Sequence, residues 1–272
     1  MENLLQYTFF TNAVLTTILT SICCGLIGTY IVAKRIVFIS GGITHASFGG
    51  LGIAYYLGIN PLIGASAAAL LSGLGITFLK DDSRLREDSL IGIFWSVGMA
   101  IGIIFIYMTP GYVPNLLSFL FGNILTVTGD MLVYASVLAA ITLILFLLLF
   151  RPIFYTAFDK NYAETHRFAY RTIEIIMTVL IALTIIVCMK LAGIILVISY
   201  LTIPQTIAGI YSKDFKTLLP LSTAICIAGS LAGLYISILT DTPSGATIVI
   251  TFFIVLLVCK LLSRIRMKYR KI

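Results

Sequence analysis

The chain has 272 residues, of which 60% are apolar and 11% charged, against about 25% charged in a soluble domain. So little polar surface excludes a soluble enzyme, a disordered tail and a nucleic-acid-binding domain. The net charge of +7 sits in short loops between apolar runs, so it reports orientation in a membrane rather than acidic partners.

A spanning helix needs about 20 apolar residues at 1.5 Å rise each. The gaps between charges predict nine crossings, at about 9–33, 36–57, 61–79, 89–109, 131–150, 172–189, 191–211, 217–239 and 245–260. Gly58-Ile59-Asn60-Pro61 and Thr109-Pro110-Gly111 break the longer runs. No run alternates with the period of a barrel strand. The expected fold is therefore an all-α, polytopic integral membrane protein, because lipid forces backbone groups to pair within helices or closed barrels. The stretch 112–129 is apolar but short, with Pro114 near its head and Gly129 at its foot. It is read as a short non-crossing helix, because letting it cross would divide the cations between both faces. With an outer N-terminus and an inner C-terminus, all 18 Lys and Arg except Lys190 fall on the inner side, as the positive-inside rule requires.

The first residues, MENLLQ, carry an acid and no cation, so the first span is read as mature protein and not as a signal peptide. The longest polar stretches, 80–88 and 151–171, are too short to fold alone, so 1–272 is expected to form one transmembrane domain. No Gly-rich loop followed by Lys and Ser/Thr cradles a phosphate, so an ATPase driving transport would be another chain. Cys23, Cys24, Cys188, Cys226 and Cys259 lie in or beside apolar runs without a CxxC pair. They are read as small packing residues rather than as disulfide or zinc ligands.

The glycines cluster. Gly49, Gly50 and Gly52 fall in the second span, Gly64, Gly73 and Gly75 in the third, Gly92, Gly98 and Gly102 in the fourth, and Gly229 and Gly233 in the eighth. Small residues let helices approach closely in lipid, and a tight bundle is the simplest account. His45 stands inside an otherwise uncharged run, with Thr44 and Ser47 beside it. An ionisable group within a span marks a functional position, and neutral imidazole suits zinc, manganese and iron. A hydrogen bond to a Ser or Thr of a neighbouring span is the alternative role. Glu87 and Asp88 open the fourth span, where carboxylates suit the positive helix end; they are weaker metal candidates. Asp130 and Asp241 sit at outer span edges, where anchoring a helix start is the simpler role. Two inner segments look like docking surfaces. One is 151–171; the other is 203–216, where Pro204 is expected to bend the end of the seventh span ahead of a short amphipathic helix.

Six stretches in order carry a family resemblance: RIVFISGGITHASFGGLGIAYYLG (35–58), REDSLIGIFWSVGMAIG (86–102), LSFLFGNILTV (117–127), FDKNYAE (158–164), AGIILVISYLTIPQTIAGI (192–210) and DTPSGATIVI (241–250). From about residue 12 to 262 the chain resembles the membrane permease subunit of zinc, manganese and iron ATP-binding-cassette importers. That resemblance implies a multi-pass protein of the cytoplasmic membrane that moves a divalent transition-metal ion by alternating access. It also implies a homodimer, or a dimer of close relatives, two cytosolic ATPase subunits and an extracytoplasmic metal-binding protein, with membrane lipid around it and no nucleic acid. The chain itself would hydrolyse nothing and hold no permanent cofactor, the transported ion aside. His45 would lie on the metal path, with Glu87 or Asp88 as possible helpers. The segment 203–216 would be the coupling helix, presenting Pro204, Ile207, Ile210, Lys213 and Phe215 to the ATPase. One departure stands out: the family often carries Asp four residues before this histidine, and here that position is Gly41. A permease for an iron chelate or corrinoid, and an ion-coupled secondary carrier, are the competing functions.

Overall fold

The computed structural model describes residues 8–82, 86–110, 124, 127–165 and 169–269. Within them the chain forms ten helices: α1 (Thr8–Lys34), α2 (Phe38–Tyr56), α3 (Pro61–Asp82), α4 (Glu87–Met108), α5 (Gly129–Leu148), α6 (Phe150–Phe158), α7 (Lys160–Thr165), α8 (Tyr170–Tyr211), α9 (Phe215–Thr240) and α10 (Ser244–Tyr269). No strand occurs among the described residues. The stretch 112–129 lies outside them, apart from Ile124, Val127, Thr128 and Gly129.

Eight segments are long and apolar enough to cross a membrane; they are α1, α3, α4, α5, the two arms of α8 (Tyr170–Lys190 and Gly193–Tyr211), α9 and α10. The ninth expected crossing is α2, whose composition differs for a physical reason. Fourteen of its 19 residues are buried, among them Ser40, Thr44, Ser47 and five glycines. It packs against α3, α4 and α8. A helix that meets protein on most sides needs small residues rather than bulky apolar ones. The reverse holds for α4 and α10, where only 22% of the apolar stretch is buried.

The helix boundaries follow local chemistry. Arg35 turns the chain between α1 and α2 in the left-handed region, at φ 62°. Gly58, at φ 68°, lets the chain reverse after α2, and Asn60 Oδ1 then accepts the Leu62 N–H at 3.0 Å ahead of α3. Asp214 caps α9, accepting from the Lys216 N–H at 3.4 Å and from the Thr217 hydroxyl at 3.2 Å. Asp241 ends α9 in the left-handed conformation.

Two expectations need correction. Pro204 does not end a helix: α8 runs through it to Tyr211. The break in α8 comes at Gly193, with φ 75° and ψ 173°, a conformation open to glycine. No separate amphipathic helix occupies 203–216; residues 212–214 are an extended link into α9. The last helix also outruns the expected span 245–260, carrying Arg264 and Arg266 beyond it.

Small residues and hydroxyls set the packing. A Cβ on Gly49 would stand 2.7 Å from the Gly98 carbonyl oxygen, and one on Gly52 would meet Gly102 backbone, so α2 and α4 touch main chain to main chain. Gly233 meets the Ile248 backbone in the same way between α9 and α10. Between α1 and α9, Ser21 and Ser230 share a hydrogen bond of 2.9 Å and Thr29 and Ser222 one of 2.6 Å. The Gln205 amide donates to the Cys24 carbonyl at 2.8 Å. Hydrogen bonds of this kind join helices in lipid. Cys23, Cys24, Cys188 and Cys226 are buried free thiols.

Candidate functional site

α2 carries His45 into the seam with α4. Its ring stacks on Trp95 at 4.1 Å between centroids, with 12° between planes. Its Nδ1 lies 3.4 Å from Met99 Sδ. Trp95 and Met99 are four apart, so they project from one face of α4. His45 is half-buried, while the residues around it from Ile39 to Gly52 are all buried. The imidazole is the one side chain of that stretch that reaches open space.

The hydroxyls beside His45 on α2 bond within that helix. Thr44 Oγ1 donates to the Ser40 carbonyl at 2.5 Å and Ser47 Oγ to the Ile43 carbonyl at 2.7 Å, so both satisfy their own helix. Among the described residues, His45 Nε2 has no hydrogen-bond partner. It remains open to a ligand.

Gly41 explains how Trp95 reaches the ring. A Cβ at position 41 would stand 2.7 Å from the indole Cζ3. The indole fills the room that a longer side chain one turn below His45 would need.

The structure does not bring Glu87 or Asp88 to His45. At 1.5 Å per residue they lie about 10 to 12 Å along α4 from Trp95. Glu87 faces Lys80 at 3.8 Å and Asp88 faces Arg86 at 3.9 Å. No cluster of three or more His, Cys, Asp or Glu positioned to hold a metal occurs among the described residues. The polar atoms that geometry brings together here are an imidazole nitrogen and a thioether sulfur.

Sequence reasoning missed both α4 partners and a second polar cluster. Trp95 is the chain's single tryptophan, a signal that was available. Where the ends of three helices meet, Glu174 of α8 accepts from Lys34 of α1, from Lys80 of α3 at 2.6 Å and from the Tyr170 hydroxyl at 3.1 Å. Lys34 also donates to the Tyr30 hydroxyl at 3.2 Å. The Glu174 side chain is 4% exposed. One carboxylate thus ties three spans together at their ends.

The expected docking residues divide. Pro204, Ile207 and Phe215 are buried. Phe215 is held by Phe150, Phe154 and Phe158 of α6 at 5.6–5.9 Å. Pro204, Ile207 and Phe215 therefore pack within the single chain, because their turn of α8 and the start of α9 point inward. Ile210 is half-exposed and Lys213 exposed, together with Thr206, Gly209 and Tyr211. Beside them opens a cleft of about 220 Å³, lined by Val32, Ala33, Phe158, Gly209, Ser212 and Lys213 among others.

The sequence model of the ABC 3 transport family matches residues 6–263. The manganese transport system membrane protein MntC of Halalkalibacterium halodurans is 30% identical, over 92% of this chain and 85% of that protein. A probable iron transport system membrane protein of Haemophilus influenzae is 33% identical, over 93% and 94%. A chain in the structure of PsaBC from Streptococcus pneumoniae in complex with Fab superposes with a TM-score of 0.83 at 29% identity, over 95% of this chain and 93% of that one. The chain belongs to the ABC 3 transport family, the metal-importer permease family that its sequence resembles.

Proposed function

We propose that this chain is the membrane permease of an ATP-driven importer that moves a divalent transition-metal ion inward across the cytoplasmic membrane. The observation that carries the reading is His45: an imidazole in the middle of a buried helix, fixed by a stack on Trp95, with one ring nitrogen open. Holding an ionisable ring at that depth is costly unless it serves a path. The names of the manganese and iron relatives point to the same class of cargo.

Energy would come from separate ATPase subunits, gripping the inner face at Ile210, Tyr211 and Lys213 beside the cleft. A second copy of the chain would complete the path, and an outer binding protein would deliver the ion. The charge distribution supports an outer N-terminus and an inner C-terminus.

The test is radiolabelled zinc, manganese and iron uptake in cells that carry or lack this chain, with His45→Ala beside them. Loss of uptake of at least one metal in the deletion, and again in His45→Ala with normal membrane levels, is the expected result. Unchanged uptake of all three metals in the deletion would end the metal reading. Ile210→Asp should abolish ATPase co-purification while the chain stays in the membrane.

A further inference from the structure

We propose that Met99 is a second metal ligand on the route, and that the His45–Met99 pair is a neutral, sulfur-containing transit site that favours zinc over manganese. The inference rests on the reading of His45 as a path residue and adds the ligand chemistry that chooses the ion.

The geometry is specific. Nδ1 and Sδ stand 3.4 Å apart. A metal held by an imidazole nitrogen at about 2.1 Å and a sulfur at about 2.3 Å places those atoms about 3.1–3.6 Å apart when the ligands are adjacent. The two atoms already stand at that spacing, so an ion could replace the weak Nδ1–Sδ contact and seat against both with little movement of either side chain, leaving Nε2 free. Trp95 restrains the imidazole by stacking on it, and Gly41 is what admits the indole. Both ligating residues are half-buried, so the pair is reachable without unpacking the seam.

The chemistry follows from the donors. Thioether and imidazole are neutral, and sulfur is soft. Carboxylate, carbonyl and water suit manganese, whereas imidazole and sulfur suit zinc and copper. The carboxylates nearest in sequence, Glu87 and Asp88, are turned toward Lys80 and Arg86, so neither places a negative oxygen to offset the preference. Two neutral donors leave the remaining coordination positions to water. Such a site slows an ion briefly and then lets it go.

The experiment uses the full transporter, purified with its ATPase, and measures zinc and manganese binding and uptake side by side. The variants are Met99→Leu, which keeps shape and removes sulfur, and Met99→Gln, which replaces sulfur with an amide of similar length. The expected result is tighter binding of zinc than of manganese by the unmodified protein. Met99→Leu should weaken zinc binding about ten-fold, the usual scale for disturbing a metal site, with a smaller change for manganese. Met99→Gln should move the zinc-to-manganese ratio further toward manganese. A melting temperature close to that of the unmodified protein shows that each variant is folded. An unchanged ratio in both variants, with uptake still lost in His45→Ala, would overturn Met99 as a ligand and leave the route standing. Tighter manganese than zinc binding by the unmodified protein would overturn the selectivity. Full uptake in His45→Ala would overturn the route and this proposal together.

Discussion

The seam between α2 and α4 and the inner junction of α1, α3 and α8 are both places where helices are held together, but by opposite means. The seam has no charge. It is glycine against glycine, with His45, Trp95 and Met99 filling the one opening. The junction is all charge, with two lysines on one carboxylate and two tyrosine hydroxyls around them. The difference teaches where each device suits a membrane protein. The ion-paired side chains are nearly buried, Glu174 at 4% and the two lysines at 12% and 14% exposed, so each charge is met by its partner rather than by water. Deep in the bundle, close packing costs no desolvation and leaves an imidazole free for an ion.

The sharpest way to break that contrast is at Glu174. Glu174→Gln would leave Lys34 and Lys80 facing each other, with only Glu87, 3.8 Å from Lys80, as a negative partner. Removing one member of a buried pair costs about 3–5 kcal/mol, because the remaining charge stays buried. Glu174→Gln should therefore lower the melting temperature of the detergent-solubilised protein more than a substitution in the glycine seam does, and reduce its level in the membrane. A variant that melts like the unmodified protein would show that the two lysines reach water and that the junction holds nothing.

The seam responds to volume. Gly49→Val places its new carbons against the Gly98 carbonyl, main chain that cannot rotate away. Overpacking of this kind costs about 1–3 kcal/mol. It should also pull Trp95 and Met99 away from His45, so uptake should fall even where folded protein persists. Normal uptake in a folded Gly49→Val protein would separate the glycine contact from the route.

How much of this was legible follows the same division. Apolar runs between charges placed the crossings to within a few residues, because a lipid-facing helix must show its apolarity. His45 stood out because an ionisable residue in a charge-free run is conspicuous. Its α4 partners did not, since a stack depends on which faces of two separate helices meet. Glu174 was hidden for a different reason. At the head of a span it looks like an acid complementing the helix dipole, and only the fold brings Lys34 and Lys80 to it. The rotation of α8 was not legible either. Ile207 and Ile210 share an apolar stretch, but the first points into the core and the second toward the surface, which a helix already continuous through Pro204 decides.

A smaller effect tests whether Gly41 and Trp95 act as one unit. Gly41→Asp alone should push the indole off His45. Trp95→Ala alone should lose the stack, worth about 0.5–1.5 kcal/mol. Together the two changes should cost less than their sum, because the alanine vacates the room the carboxylate needs. Melting temperatures of the two single variants and the double variant give the coupling. Strict additivity would mean that Trp95 does not occupy that space.

The smallest expected effect is at the mouth of α4, where charge is present but exposed. Glu87 lies 3.8 Å from Lys80 with its side chain 33% exposed, and Asp88 lies 3.9 Å from Arg86 with its side chain 72% exposed. Exposed pairs contribute about 0–1 kcal/mol and are screened by salt. Lys80 keeps Glu174 at 2.6 Å whether or not Glu87 is charged. Glu87→Gln and Asp88→Asn should therefore leave the melting temperature nearly unchanged and metal uptake intact, in contrast to Glu174→Gln one helix away. If Glu87→Gln instead abolished uptake with the fold preserved, a carboxylate at the inner end of α4 would be handling the ion, and the division between a charged scaffold and a neutral route would fail at the point where the two regions come closest in sequence.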